Sequence, residues 1–180
     1  MNEKMFYLEK LNDELEKIGE SLDIICVGGF VLEYHGLKST LDIDAFYNPT
    51  KAVKEIIKSI GDEYNINNPS GEVWLNNDVM NLNAEPELSL CEKISNFSNL
   101  NVYIAPLDYV MGMKFLSMRN KDVIDIAAII KYRKYKDPKE VQKRLQALCF
   151  EEIDESMMLE AFAEAYGMDW LEKYYKENYF

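Results

Sequence analysis

The segment IICVGGFVLEYHGLKSTLDIDAFYNP, residues 24–49, constrains the fold more than any other part of the chain. The run LDIICV, from Leu22 to Val27, is mostly apolar and rich in Ile and Val, so it reads as a buried strand. It ends in Gly28-Gly29. The following FVLEYHG predicts a short helix stopped by Gly36, and TLDIDAF predicts a second strand. Residues two apart on a strand share a face, so Asp42 and Asp44 project together while Ile43 turns to the core. Two converging carboxylates are costly unless something positive meets them. A hard divalent cation that takes oxygen ligands, Mg²⁺ or Mn²⁺, is the natural partner. The missing side chains of Gly28 and Gly29 let backbone N–H groups approach a phosphate where a strand turns into a helix. A metal site beside a phosphate cradle is the minimum apparatus for metal-assisted phosphoryl or nucleotidyl transfer.

The flanking sequence supplies layers for this unit. Met5, Leu8, Leu11, Leu15 and Ile18 recur at three- and four-residue spacing and predict an amphipathic helix over residues 4–20. Thr50 is placed to cap a third helix carrying Val53, Ile56, Ile57 and Ile60, with Gly61 after it. Residues 62–85 are rich in Asn, Asp, Pro and Gly and read as a loop with one helical turn near EVWLNNDVMNL. LSLCEKI and LNVYIAP predict two more strands around the turn-like SNFSN. Pro106 suits the first position of a helix through PLDYVMGMKFLSM, and KDVIDIAAIIKYRKY predicts the next. Asp137-Pro138-Lys139-Glu140 marks a further helix start, and the tail predicts helices broken near Gly167. The expected architecture is α+β: a mixed sheet flanked by helices over residues 1–105, then a C-terminal helical region, 106–180, packed on that core.

The formal net charge of −12 argues against non-specific duplex binding by the whole surface. The cations cluster, however: Lys114, Arg119, Lys121, Lys131, Arg133, Lys134, Lys136, Lys139, Lys143 and Arg144 fall within 31 residues. They read as a solvated helix surface or as a landing site for a polyanion. The three cysteines, Cys26, Cys91 and Cys149, have no C-x-x-C spacing and read as buried thiols in a reducing compartment. No apolar run reaches the ~20 residues that span a bilayer, and the charged N-terminus is neither a signal nor a transit peptide. A cytoplasmic protein without membrane contact is expected. His35 reads as a helix-end residue and Trp74 as packing against a sheet edge, with a base platform as the alternative. Tyr132, Tyr135, Tyr174, Tyr175 and Tyr179 read as packed between helices.

VGGFVLEYHGLKSTLDIDAF resembles the signature of the nucleotidyltransferase superfamily, the fold of DNA polymerase beta: Gly-Gly or Gly-Ser, a spacer, then Asp-hydrophobic-Asp. HGLKSTLDID is similar to a form found in bacterial abortive-infection and toxin–antitoxin members, with Lys38 where Arg is more usual. WLNNDVMNL and VYIAPLDYVMGMKFLSMRNKDVIDI resemble small bacterial nucleotidyltransferase-like proteins. The likeness covers roughly residues 20–130. It implies two-metal nucleotidyl transfer from a nucleoside triphosphate to an RNA or protein acceptor, with release of pyrophosphate. Asp42 and Asp44 would hold the metal, and Gly28-Gly29 would cradle the triphosphate. Lys38, Ser39, Thr40, Lys114 and Arg119 would bind its phosphates. Asp122 and Asp125, three apart on one helix face, pair with Lys114 and Arg119 in the structural alternative. A cognate toxin or antitoxin is the implied partner.

One departure from that pattern stands out. Superfamily enzymes usually carry a third carboxylate on a later strand, and the candidates here are Glu92 first and Glu87 second. Without a third acid the nucleophile's proton has no evident acceptor. The alternative is then a catalytically degenerate nucleotide-binding module, or an antitoxin acting by protein–protein binding.

Overall fold

The computed structural model describes residues 2–68, 71–81, 85–117 and 119–179. The fold is α+β, with a five-stranded mixed sheet and, among the described residues, eight α-helices. It divides into two compact units, Met1–Pro106 and Leu107–Phe180.

In the first unit α1 (Asn2–Ile18) buries Leu8, Leu11 and Leu15 completely, whereas Ile18 at the helix end is exposed. Asn12 is also buried, because its side-chain oxygen accepts the Asn99 N–H at 2.8 Å. Then come β1 (Leu22–Val27), α2 (Gly28–Tyr34), β2 (Ile43–Phe46), α3 (Lys51–Glu63), β3 (Leu75–Asn76), β4 (Glu92–Lys93) and β5 (Leu100–Ile104). The strand order is β3-β2-β1-β5-β4, which puts β1 in the centre. β1 runs antiparallel to β2 and parallel to β5; β2–β3 is parallel and β4–β5 antiparallel.

Several expected boundaries move, each for a local reason. β2 begins at Ile43 rather than Thr40, because the Thr40 N–H and carbonyl are taken by the side chains of Glu33 and Lys4 instead of a neighbouring strand. Thr50 caps α3, its hydroxyl accepting the Val53 N–H, but the helix runs through Gly61. Gly61 is buried there, and any side chain on it would collide with Asn67. The Asn-rich loop hides β3, and a 3₁₀ turn follows over Asp78–Asn81; residues 69, 70 and 82–84 of that span lie outside the described residues. β3 is anchored by Tyr47 Oη–H donating to the Leu75 carbonyl at 2.8 Å and by Trp74 Nε1–H donating to the Ile57 carbonyl at 2.9 Å. Trp74 is only 2% exposed, so it has no face for a base. In LSLCEKI, Leu88–Leu90 forms a 3₁₀ turn, closed by the Leu90 and Cys91 N–H groups onto the carbonyls of Glu87 and Leu88. Only two residues of that run pair as strand.

The second unit is helical: α4 (Leu107–Ser117), α5 (Asp122–Arg133), α6 (Pro138–Gln146), α7 (Glu155–Tyr166) and α8 (Met168–Asn178). Met118, at the end of the expected α4 sequence, lies outside the described residues. Asp137 caps α6 by accepting the Lys139 N–H at 2.9 Å. Of the tyrosines expected between helices, Tyr135 is buried, Tyr174 is half-buried, and Tyr132, Tyr175 and Tyr179 are exposed. Of the cysteines, only Cys26 is buried; Cys91 is half-buried and Cys149 exposed, since neither lies on an inward helix or strand face. Among the described residues no helix is long and apolar enough to cross a membrane.

Candidate active site

Backbone geometry at the β1–α2 junction explains both glycines. Gly28 has φ +59°, a left-handed conformation that disfavours side chains. A Cβ on Gly28 would lie 2.8 Å from Oδ2 of Asp44, which is the register partner of Val27 across the β1–β2 pair. A Cβ on Gly29 would lie 2.8 Å from both Cβ and Oγ1 of Thr40. The space left by the two glycines is thus filled by Asp44 and by Thr40. α2 has only seven residues, so its dipole adds little, and the glycines act chiefly by permitting this approach.

Thr40 is the hub. Its N–H donates to Glu33 Oε2 at 3.0 Å, its carbonyl accepts Lys4 Nζ at 2.6 Å, and its hydroxyl donates to Asp42 Oδ1 at 2.9 Å. Lys4 and Glu33 form an ion pair of 2.7 Å with both side chains 12% exposed. Burial pushes the Glu33 carboxyl up, but the bonds from Lys4 and the Thr40 N–H prevail and hold it at about 2. An ion pair formed between α1 and α2 therefore fixes the loop that aims Asp42.

Asp44 is fixed from the other side. It pairs with Asn76 in the β2–β3 register, and Asn76 Nδ2 donates to Asp44 Oδ1 at 3.0 Å. The Asn76 Oδ1 accepts the Asp78 N–H at 3.4 Å, which sets the amide with its donor toward the carboxylate. Both aspartates are half-buried, and each has one oxygen held by a neutral donor. Beneath them, burial first and then the Asp44 charge push the Cys26 thiol well above its ordinary range, leaving it inert.

The other residues expected at the site fall in different places. Lys38 and Ser39 are exposed on the Thr40 loop. His35 is the C-cap of α2, its N–H donating to the Val31 carbonyl and its ring edge-on to Tyr34. Glu92 is not brought to the pair. It lies on β4, three strands from β2, or about 14 Å at the usual strand spacing. Its register partners run through Ile104 and Cys26 to Ala45, so it shares a face with Ala45 and not with the neighbouring Asp44. Tyr34 Oη–H donates to Glu92 at 3.1 Å instead. Glu87, exposed ahead of the same edge strand, accepts from the Ser89 hydroxyl. The side chain beside Asp44 is an amide, Asn76.

Lys114 and Arg119 belong to the second unit, where that unit's own acids take their charge. Lys114 Nζ donates to Asp122 Oδ1 at 2.9 Å and to Asp125 Oδ2 at 2.6 Å, and Arg119 Nε donates to Asp122 Oδ2 at 2.8 Å. Lys114 is 7% exposed and Asp122 1%. This matches the structural alternative, in which Lys114 serves two acids of its own unit.

Mg²⁺ is often bound through one or two carboxylates together with substrate phosphates, and Asp42 and Asp44 fit that arrangement. Among the described residues no three of His, Cys, Asp or Glu gather to hold a metal. Asp42 and Asp44 would offer one such cation two carboxylate ligands, the others coming from the phosphates of a nucleotide.

A family model described as "Nucleotidyltransferase of unknown function (DUF6036)" matches residues 3–177. The chain belongs to this family. Comparison with curated proteins and with solved structures gives no match. The family description implies a nucleotide substrate and agrees with the mixed-sheet fold. Sequence reasoning missed Lys4, Glu33 and Asn76. The first two are 29 residues apart and meet only through folding. The third pairs with Asp44 only through β3, a two-residue strand that leaves no pattern in the sequence.

Proposed function

We propose that the β1–α2 junction binds a nucleoside triphosphate with Mg²⁺ or Mn²⁺ and supports transfer of its nucleoside monophosphate to an RNA or protein acceptor. The observation that carries this is the packing of Asp44 against Gly28 and of Thr40 against Gly29. Asp44 thus lies at Gly28, and Thr40, whose hydroxyl donates to Asp42, lies at Gly29, in a chain that belongs to a nucleotidyltransferase family. In this reading Asp42 and Asp44 hold the cation, which supplies charge neutralisation on the phosphates. Thr40 keeps Asp42 oriented, Asn76 keeps Asp44 oriented, and Lys38 and Ser39 are close enough in sequence to reach the phosphate tail. Transfer joins the acceptor oxygen to the α-phosphorus and releases pyrophosphate. Asn76 has no basic atom, so the acceptor's proton leaves to an aspartate or to solvent.

That amide favours a second reading, a nucleotide binder that does not turn over and acts on a toxin or antitoxin partner. Two measurements separate the readings. An NTP at 100-fold its Kd with Mg²⁺ should add about 2.7 kcal/mol of apparent stability, and Asp42→Asn/Asp44→Asn should remove the gain while keeping the fold. An equal gain in the double variant sinks the site. Incubation with labelled NTP, total RNA and lysate then reads transfer: label on an acceptor, lost in Asp44→Asn, supports the enzyme, and binding without label supports the second reading.

A further inference from the structure

A cavity lies wholly within the helical unit, between the start of α6 and one face of α8. Its volume is about 540 Å³, within the range of roughly 300–1,000 Å³ usual for small-ligand sites. Lys136, Lys139, Lys173, Trp170 and Tyr174 line it. On α8, Trp170, Lys173, Tyr174 and Glu177 recur at three- and four-residue spacing, so one face presents aromatic rings and a cation together. Trp170 stacks on Phe162 at 4.9 Å with a 22° tilt and on Tyr174 at 5.2 Å with an 18° tilt, a stacked aromatic column whose last ring, Tyr174, meets Tyr175 and Tyr179 edge-on. Lys136 Nζ sits 4.0 Å over the Tyr166 ring. α8 buries no residue completely, so this column is only part-covered.

The charges at the cavity do not cancel. Asp137 also lines it, but its carboxylate caps α6. Glu177 meets Lys173 at 3.7 Å with both side chains more than 60% exposed, a contact worth little and readily exchanged. The lining thus sets three lysines against two acids, Asp137 and Glu177, and Lys139 Nζ also donates to Asn178 Oδ1 at 3.2 Å. A planar ring system carrying a phosphate satisfies both halves of the lining.

We propose that this cavity binds a nucleotide unit, the base stacked on Tyr174 beside Trp170 and the phosphate among Lys136, Lys139 and Lys173. The unit is either a free mononucleotide or one residue of single-stranded RNA; base stacking and cationic phosphate contacts are common to both. The inference does not depend on the proposed transfer reaction, because the lining is confined to residues 136–178.

The test uses the full chain in EDTA without Mg²⁺, so that the fate of the Asp42–Asp44 site does not enter. Fluorescein-labelled oligouridine and unlabelled UMP are titrated, with anisotropy and tryptophan quenching as readouts. Trp74 is 2% exposed, so Trp170 is the accessible reporter. Lys139→Ala/Lys173→Ala changes two exposed side chains and should leave the melting temperature unchanged while weakening binding at least tenfold. Tyr174→Leu should weaken it about five- to hundredfold. For oligouridine the logarithm of affinity should fall against log salt with a slope of about −0.7, for the one phosphate held. Tighter binding of oligouridine than of UMP assigns the site to a strand, and equal binding assigns it to a free nucleotide. No binding, binding insensitive to the lysine pair, or binding of a duplex equal to that of single strands with no effect of Tyr174→Leu overturns the proposal.

Discussion

Two pairs of aspartates, one in each unit, show how the same side chain is put to opposite uses. Asp42 and Asp44 in the first unit meet neutral donors, the Thr40 hydroxyl and the Asn76 amide. Asp122 and Asp125 in the second meet Lys114, and Asp122 meets Arg119 as well. The first pair is oriented by a hydroxyl and an amide, whereas the second is paired with cations of its own unit and holds two helices together. The units differ in the same sense overall: residues 1–106 carry 8 Lys and Arg against 18 Asp and Glu, residues 107–180 carry 12 against 14. An acid already answered by a cation of its own unit, as Asp122 is by Lys114 and Arg119, is committed to structure.

The largest break in this comparison is Lys114→Ala. It leaves Asp122 and Asp125 buried without their shared cation, and losing one partner of a buried pair costs about 3–5 kcal/mol. Chemical denaturation should show that loss in full, whereas Asp42→Asn/Asp44→Asn should change stability by less than about 1 kcal/mol without metal, since it removes repulsion rather than attraction. Wild-type-like unfolding of Lys114→Ala would mean that the C-terminal pair is not structural.

Next in size is Gly28→Ala, set against Gly36→Ala. Both glycines have positive φ, +59° and +71°, and each substitution incurs a backbone penalty of about 1–2 kcal/mol. Only at Gly28 does the new Cβ also strike Asp44, since at Gly36 nothing lies within 4 Å. Gly28→Ala should therefore abolish the stabilisation by Mg²⁺ and NTP, and Gly36→Ala should keep it. Equal retention in both would show that the Asp44–Gly28 approach does not build the site.

These residues also mark the limits of reading the chain unaided. β1, α2 and the aspartate pair were legible because strand alternation and a glycine doublet are local signals. The pairing of Lys114 with Asp122 and Asp125 was legible through helical spacing. β3 was not, because two residues cannot display a period and their Asn-rich setting reads as loop. Glu92 lies on a strand as expected, but strand order and face, which no local pattern announces, put it three strands from β2 and level with Ala45. The Glu33–Thr40 clamp depends on Lys4 from a different element, which no local pattern announces.

Acid sharpens the comparison by testing positioning rather than ligation. Burial raises the Asp122 carboxyl, but bonds from Ser117, Lys114 and Arg119 outweigh it and hold it at about 2; Glu33 is held at about 2 by Lys4 and Thr40. Both lie below their ordinary values of 3.8 and 4.5. Their stabilisation is complete above about pH 4.5 and is lost as pH falls toward 2. Glu33→Gln should remove about 1–2 kcal/mol of that pH-dependent stability from the N-terminal unit. Asp122→Asn should do the same for the C-terminal unit. Unchanged acid melting curves in both variants would contradict the two clusters.

The smallest expected effect, and the one that bears most on chemistry, is Asn76→Asp. The substitution changes the residue paired with Asp44 from a donor into a third carboxylate at nearly constant size. Without metal the new acid faces Asp44 without the amide bond, and stability should fall by about 0.5–1 kcal/mol. With Mn²⁺ three carboxylates converge, and the ion should bind about fivefold more tightly, a coupling near 1 kcal/mol. Calorimetric titration of Mn²⁺ into both proteins measures the difference. If the wild-type chain transfers no label and the Asn76→Asp chain does, the amide is the feature that holds this family member at binding. If Mn²⁺ affinity is unchanged, Asn76 does not face the cation, and the assignment of Asp44 as its ligand falls with it.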